Sequence, residues 1–256
     1  MNLLREKLER GEKLCGTLTC LTDPALCEIF GHMGYDCIWI DMEHTYLSYK
    51  EVLCHLNGAR SAGMPALVRV PQNDLTATKK ILEMGPEAIL FPMVRTAEQV
   101  RELIDMTLYP PLGNRGFGPM RAIAYDAGQS DAYVRQKNLE MCRFIQVEHV
   151  DCVDNLDEIL QISYLDGIIF GPNDLSGSLG MLGNVFAAET VARIQTAIAI
   201  ARKHKKYVGL SGGFSPETIH FWAELDLDIL FAGADWNFVH ALGKKTLQLL
   251  RQYHHT

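Results

Sequence analysis

The chain has 256 residues, 48% of them apolar and 21% charged, with a formal net charge of −7. Those values describe a globular protein with enough apolar material for a large core and exclude nucleic acid as a general partner. No apolar run is long enough to span a membrane, and the charged start Asn2-Leu3-Leu4-Arg5-Glu6-Lys7 lacks the apolar centre of a signal peptide. The seven cysteines are odd in number, scattered, and form no Cys-x-x-Cys pair, so neither a disulfide framework nor a zinc knuckle is indicated and a reducing cytoplasm is the expected location.

In chain order, short β-branched or apolar runs alternate with segments of helical period. Residues 3–9 read as a short helix and 13–20 as the first strand. Asp23-Pro24 opens a helix to about Met33, with Asp as N-cap and Pro in the first turn, and Gly34 closes it. Cys37-Ile38-Trp39-Ile40-Asp41 is the second strand, with Glu43 and His44 on its exit loop. A helix over 49–62 leads to the third strand, 66–70, which Pro71 ends. A helix over 75–84, closed by Gly85, precedes the fourth strand, 88–91, and another spans 97–107.

Tyr109 to Gly118 breaks this rhythm and is a loop by composition. Arg115 and Arg121 make it either a binding place for an anion or a solvated Arg-rich loop. The fifth strand, Phe144-Ile145-Gln146-Val147-Glu148, and the sixth, which opens at Gly167-Ile168-Ile169-Phe170, each lead to an acidic residue, Glu148 and Asp174, where strand gives way to loop. A helix over 155–162 lies between them. Then follow a long helix over 191–205, a strand over 207–211, a helix over 216–225, a strand over 229–232 and a last helix over 238–253.

Eight strands in strict alternation with helices imply a parallel sheet, and eight such units close into a TIM (β/α)8 barrel, here one domain over residues 1–256. Chemistry in that fold sits at the C-terminal ends of the strands. Asp41, Glu43, His44, Arg69, Glu148, Asp174, Ser211 and Asp235 all fall at strand exits and would converge on one mouth. Taken alone, Glu148 and Asp174 fit a cap and a turn residue; the convergence is what makes them a site. Two hard oxygen ligands hold a divalent cation with open positions for substrate and water, and such an ion polarises a carbonyl and stabilises an enolate. Arg69 can pair with a carboxylate or support an oxyanion. His44 is a candidate base, oriented by Asp41 or Glu43. The turn Gly171-Pro172-Asn173-Asp174-Leu175-Ser176 offers backbone N–H groups to an anion. No lysine ends a proposed strand, so a Schiff base lacks a nucleophile. Cys142 and Cys152, flanking the fifth strand, read as small core residues.

Asp41-Met42-Glu43-His44, Val68-Arg69-Val70-Pro71, Tyr109-Pro110-Pro111 with Arg115-Gly116, Gln146-Val147-Glu148 and Gly171-Pro172-Asn173-Asp174-Leu175-Ser176 together resemble the metal-dependent (class II) pyruvate aldolases of the HpcH/HpaI type, the family of hydroxy-oxo-heptanedioate and dehydro-deoxy-glucarate aldolases. The resemblance covers nearly the whole chain, in order. It implies reversible cleavage of a 4-hydroxy-2-oxo acid to pyruvate and an aldehyde through a metal-stabilised enolate. It implies Mg2+, Mn2+ or Co2+ held by Glu148 and Asp174, Arg69 on the pyruvyl group, acid–base work by His44, a catalytic set completed by Asp41 and Glu83, and Gln146, Gly171, Pro172 and Asn173 lining the substrate site. It also implies a C-terminal helix exchanged between subunits, in a hexamer built as a trimer of dimers. Three positions depart from the family pattern: Leu18 stands where several members carry Trp, Glu83 where Asp is usual, and His149 where Thr is common. Leu18 and Glu83 are therefore expected at the aldehyde end. Two other readings share the residues: an oxaloacetate decarboxylase or another enzyme acting on a pyruvate enolate, and a non-catalytic ligand-binding barrel.

Overall fold

The alternation of side chains along each strand decides the architecture. In β2 (Cys37–Asp41), Cys37 and Trp39 face one way and Ile38 and Ile40 the other. The same parity holds in β3 (Ala66–Arg69), β4 (Ala88–Phe91), β5 (Cys142–Val147) and β6 (Gly167–Phe170): Leu67, Leu90, Phe144 and Ile169 join Trp39, while Val68, Ile89, Ile145 and Ile168 join Ile40. Both faces are apolar, as a parallel sheet covered by helices requires. With β1 (Leu14–Thr19), β7 (Tyr207–Gly212) and β8 (Ile229–Ala234), the computed structural model is a closed, all-parallel, eight-stranded barrel, and it describes residues 2–126 and 130–254. One apolar cluster fills the barrel; a larger one lies between strands and helices.

The N-terminal end is plugged by α1 (Leu3–Glu9), whose Leu4 and Leu8 belong to the interior cluster. Asn2 caps this helix by accepting from the Arg5 N–H, and its amide donates to the Glu87 and Glu140 carbonyls at 2.6 and 2.9 Å. Arg5 reaches Asp166 at 2.7 Å. These contacts close the bottom and leave the C-terminal ends of the strands to form the mouth.

The outer layer is α2 (Ala25–Met33), α3 (Tyr49–Ser61), α4 (Leu75–Met84), α5 (Ala97–Asp105), α6 (Ser130–Glu140), α7 (Val150–Asp154), α8 (Leu156–Ile159), α9 (Pro172–Ser178), α10 (Ala188–Lys203), α11 (Pro216–Ala223) and α12 (Asp235–His254). The first helix over 3–9, the second and fourth strands and the helix over 75–84 have the expected bounds. Elsewhere the structure corrects the reading. α2 is bounded at Ala25 with Pro24 in the N-cap position, although Pro24 already has helical backbone and Asp23 accepts the Ala25 N–H at 2.9 Å. The fifth strand begins at Cys142, which therefore lies inside the barrel instead of flanking the strand. The helix expected over 155–162 is the shorter α8, and an unexpected short helix, α7, precedes it, capped by His149. The polar α6 was not expected, because it lacks a strong apolar stripe.

Two corrections bear on function. Asp174 does not end a strand: β6 stops at Phe170, Gly171 and Pro172 start α9, and Asp174 lies in its first turn. Arg115 and Arg121, which left the 109–118 loop either an anion site or a solvated loop, are engaged by the fold. Arg115 is buried against Glu83 at 3.2 Å and lies 4.3 Å over the Tyr109 ring; Arg121 donates to the Met84 carbonyl and to Asn57 Oδ1. The last helix is longer than expected and starts at Asp235, whose Oδ2 accepts from Thr19 Oγ1 and from the Cys20 and Leu21 N–H groups, each at 2.9 Å. Asp235 thus ties α12 to the exit of β1. Along the rest of α12, Trp236, Val239, Leu242, Leu249, Leu250 and Tyr253 are exposed in the single chain. No helix among the described residues is long and apolar enough to cross a membrane.

Candidate active site

The parity that fills the barrel also builds its rim. Two positions beyond Trp39 is Asp41, two beyond Leu67 is Arg69, two and four beyond Phe144 are Gln146 and Glu148, and two beyond Ile169 is Gly171. The last inward layer is therefore polar, and Asp41, Arg69, Gln146 and Glu148 are buried in it.

Arg69 is the hub. Its Nε and Nη2 donate to Asp41 Oδ1 and Oδ2 at 2.8 and 2.6 Å, a two-point pair that fixes the guanidinium plane. Nη1 donates to Gln146 Oε1 at 3.2 Å and lies 2.8 Å from Glu43 Oε2. The Trp39 ring sits 5.0 Å away as a floor. Burial disfavours the charge on Arg69, but the Asp41 hydrogen bonds and the charges of Asp41, Glu43 and Glu148 outweigh it and hold its pKa above the ordinary value.

Glu148 is only 1% exposed. Its burial, opposed by the Met93 N–H and by Arg69 and reinforced by Glu43 and Asp174, pushes its carboxyl up to about 7. Met93 donates to Glu148 Oε1 at 2.5 Å from a backbone with φ 55, a left-handed conformation costly for a residue with a Cβ. Glu148 Oε2 lies against Gly171: a Cβ there would come within 2.9 Å of it and 2.6 Å of Gln146 Nε2. The glycine permits that close approach. Burial also raises Glu43, against the pull of Arg69 and His44. His44 is exposed, with Nε2 3.7 Å from Glu43 Oε2.

An inner pocket of about 150 Å3 opens beside Arg69, its wall including Trp39, Gln146, Gly171 and Asp174. It leads to an outer cleft of about 620 Å3, and Leu18, His44, Arg69 and Asn173 border both.

The HpcH/HpaI aldolase/citrate lyase family model matches residues 17–211, which include every group in this rim. The chain belongs to the HpcH/HpaI aldolase/citrate lyase family. It is 35% identical over 208 residues to the 2-keto-3-deoxy-L-rhamnonate aldolase of Escherichia coli K12, an alignment covering 81% of this chain and 78% of that one. Its fold superposes with a TM-score of 0.92 on an HpcH/HpaI aldolase from Desulfitobacterium hafniense, 27% identical, with 98% of this chain and 97% of that one covered. A family protein from Burkholderia cenocepacia, also 27% identical, superposes at 0.91 over 98% of this chain and 100% of its own. Membership makes the chain an enzyme of the carbon–carbon lyase class.

Within this family member the expected site residues divide into three groups. Asp41, Arg69, Gln146, Glu148 and Gly171 come together in the rim, and Leu18, His44, Pro172, Asn173 and Asp174 border the pocket. Ser211 also reaches the mouth, whereas Asp235 is spent on anchoring α12. Glu83 is not brought to the mouth of its own barrel; it pairs with Arg115 beside the 109–118 loop. Trp39 and Met93 are contributors that sequence reasoning missed. Trp39 was legible as an inward strand residue, but nothing in the sequence marks Met93 as a left-handed residue.

Proposed function

We propose that the protein is a metal-dependent aldolase that reversibly cleaves a 4-hydroxy-2-oxo acid to pyruvate and an aldehyde. The observation that carries this reading is the fixed Arg69 guanidinium, clamped by Asp41 beside Glu148 and Asp174 over a pocket small enough for a pyruvyl unit. The donor chemistry fits a hard divalent cation such as Mg2+, Mn2+ or Co2+. Glu148 is a buried carboxylate whose charge is disfavoured by burial and by Glu43 and Asp174, and a cation at Glu148 and Asp174 would relieve that repulsion. Among the described residues no three His, Cys, Asp or Glu side chains are grouped to hold a metal, so water and substrate would complete the shell. When bound, the cation supplies Lewis acidity toward the keto oxygen of the substrate.

The remaining work belongs to side chains. Arg69 pairs with the pyruvyl oxygens and offsets the negative charge that develops as the C–C bond breaks. Both Asp41 oxygens are taken by Arg69; Glu43 also pairs with Arg69 and is the carboxylate that lies near His44, at 3.7 Å. His44 takes the proton from the C4 hydroxyl on cleavage and returns it on condensation. Gln146 holds the other edge of Arg69. Leu18 and Asn173 border the path of the aldehyde. The exposed apolar face of α12 supports exchange of this helix with a neighbouring subunit, and the family resemblance supports a hexamer built as a trimer of dimers. Seven free thiols fit a reducing cytoplasm.

Purified protein should consume pyruvate with short aldehydes and decarboxylate oxaloacetate. A chelator should stop both reactions, and added Mg2+, Mn2+ or Co2+ should restore them. Chelator-resistant turnover together with pyruvate-dependent inactivation by borohydride would overturn the reading, because that is the signature of an imine to lysine.

A further inference from the structure

The mouth continues past the outer cleft into a side chamber of about 330 Å3 at the exits of β6 and β7. Asn173 and Ser211 border the inner pocket, the outer cleft and this chamber alike, so the three spaces adjoin one another. The chamber has an aromatic wall. Buried Trp222 forms its back, and Phe186 stacks on Trp222 with ring centroids 5.5 Å apart and planes 22° from parallel. Gly212 makes room for that wall, since a Cβ there would lie 2.8 Å from Trp222 Cδ1. Phe186 nevertheless stays 47% exposed, its ring left at the rim.

Among the described residues none that borders the chamber carries a charge; its polar members are hydroxyls and amides such as Thr218 and Asn237. The cationic candidates of the mouth lie on the walls of the neighbouring spaces: Arg69, already engaged by Asp41, Glu43 and Gln146, and His44. A carboxylate entering the chamber would lose water and find no counter-charge. An apolar or aryl tail would cover the Phe186 ring and needs no counter-charge, at the cost of desolvating the hydroxyls and amides beside it.

Building on the aldolase reading above, we propose that this chamber receives the distal end of the aldehyde half of the substrate, that the preferred aldehyde is neutral with an apolar or aryl tail, and that Phe186 and Thr218 set this preference. A neutral lining excludes acidic tails by desolvation as much as it attracts apolar ones.

The test compares condensation of pyruvate, with Mn2+ present, with three aldehydes: acetaldehyde, 3-phenylpropanal and succinic semialdehyde. By kcat/KM, 3-phenylpropanal should exceed acetaldehyde by about tenfold or more, and succinic semialdehyde should fall below both. Phe186→Ala, which removes the rim, and Thr218→Trp, which fills the chamber, should each pull the phenylpropanal-to-acetaldehyde ratio back toward one. The ratio is insensitive to the amount of folded enzyme, so a poorly folding variant does not mimic the effect. A wild-type ratio near one, a ratio unmoved by both substitutions, or a preference for succinic semialdehyde would each overturn the chamber's role while leaving the aldolase reading intact. No turnover of pyruvate or oxaloacetate under any condition would instead remove the aldolase reading, and the chamber's role with it.

Discussion

Asp41 and Arg69 stand opposite each other in register on neighbouring strands and join through two hydrogen bonds of 2.6 and 2.8 Å. Each is the last residue of its strand, so the pair is set by backbone register and not by a mobile loop. Arg69→Lys keeps a charge but loses the planar fork, and kcat/KM should fall by about 100-fold or more. Asp41→Ala leaves the buried guanidinium without its main partner and should cost about 3–5 kcal/mol of stability, read from urea unfolding. Wild-type kinetics in the lysine variant would mean that the fork has no role in transition-state binding.

The carboxylates Glu148 and Asp174 are predicted to act as one unit. Glu148→Gln and Asp174→Asn should each abolish Mn2+ binding in a calorimeter and turnover in the same preparations. Both variants should remain folded, since Glu148→Gln removes a buried charge that the free protein holds at some cost. Full Mn2+ affinity in either variant would assign the cation elsewhere.

Leu18 borders both the inner pocket and the outer cleft. Leu18→Trp should reorder the aldehydes that condense with pyruvate, by roughly 10-fold for the affected members, and leave oxaloacetate decarboxylation nearly unchanged. A proportional loss in both reactions would mean that Leu18 contacts the pyruvyl end.

Val239, Leu242, Leu249 and Tyr253 recur at helical spacing on α12 and are exposed in the single chain. A chain ending at Asp235 keeps the tie to the exit of β1 but loses this face, and it should fail to assemble when its mass is measured by light scattering. A folded, active species of native mass would show that the face has no partner.

Buried thiols set an alkaline limit. Burial pushes the Cys27 and Cys142 thiols up to about 12 from an ordinary value of 9.0. Between those values the unfolded chain releases protons that the folded chain retains, so stability falls as pH rises, by about 1.4 kcal/mol per pH unit for each thiol. The contribution is fully present below pH 9 and is lost toward pH 12. Urea midpoints should drop between pH 8 and pH 10.5, and the drop should shrink in Cys27→Ala and Cys142→Ala. An equal drop in those variants would assign the alkaline lability to other groups.

The sequence by itself determined the barrel, because strand-length apolar runs alternating with helical periods admit few other closed arrangements. It also determined which residues reach the rim: two-residue parity from Trp39 leads to Asp41, and from Phe144 to Gln146 and Glu148, without any coordinates. Only the tertiary structure decided how those residues are used. Asp174 reads as a strand end in sequence, yet Gly171 and Pro172 terminate the strand and carry it into a helix. Asp41 and Glu43 are equivalent partners for His44 on paper; the register of β2 against β3 commits both oxygens of Asp41 to Arg69, while Glu43 lies 2.8 Å from the same guanidinium and 3.7 Å from the histidine. Met93 became visible only through its backbone, and the side chamber only through the packing of Phe186 on Trp222. Parity and period are properties of neighbouring residues and can be read along the chain, whereas a hydrogen-bond partner depends on which strands lie side by side, and closure of the barrel sets that.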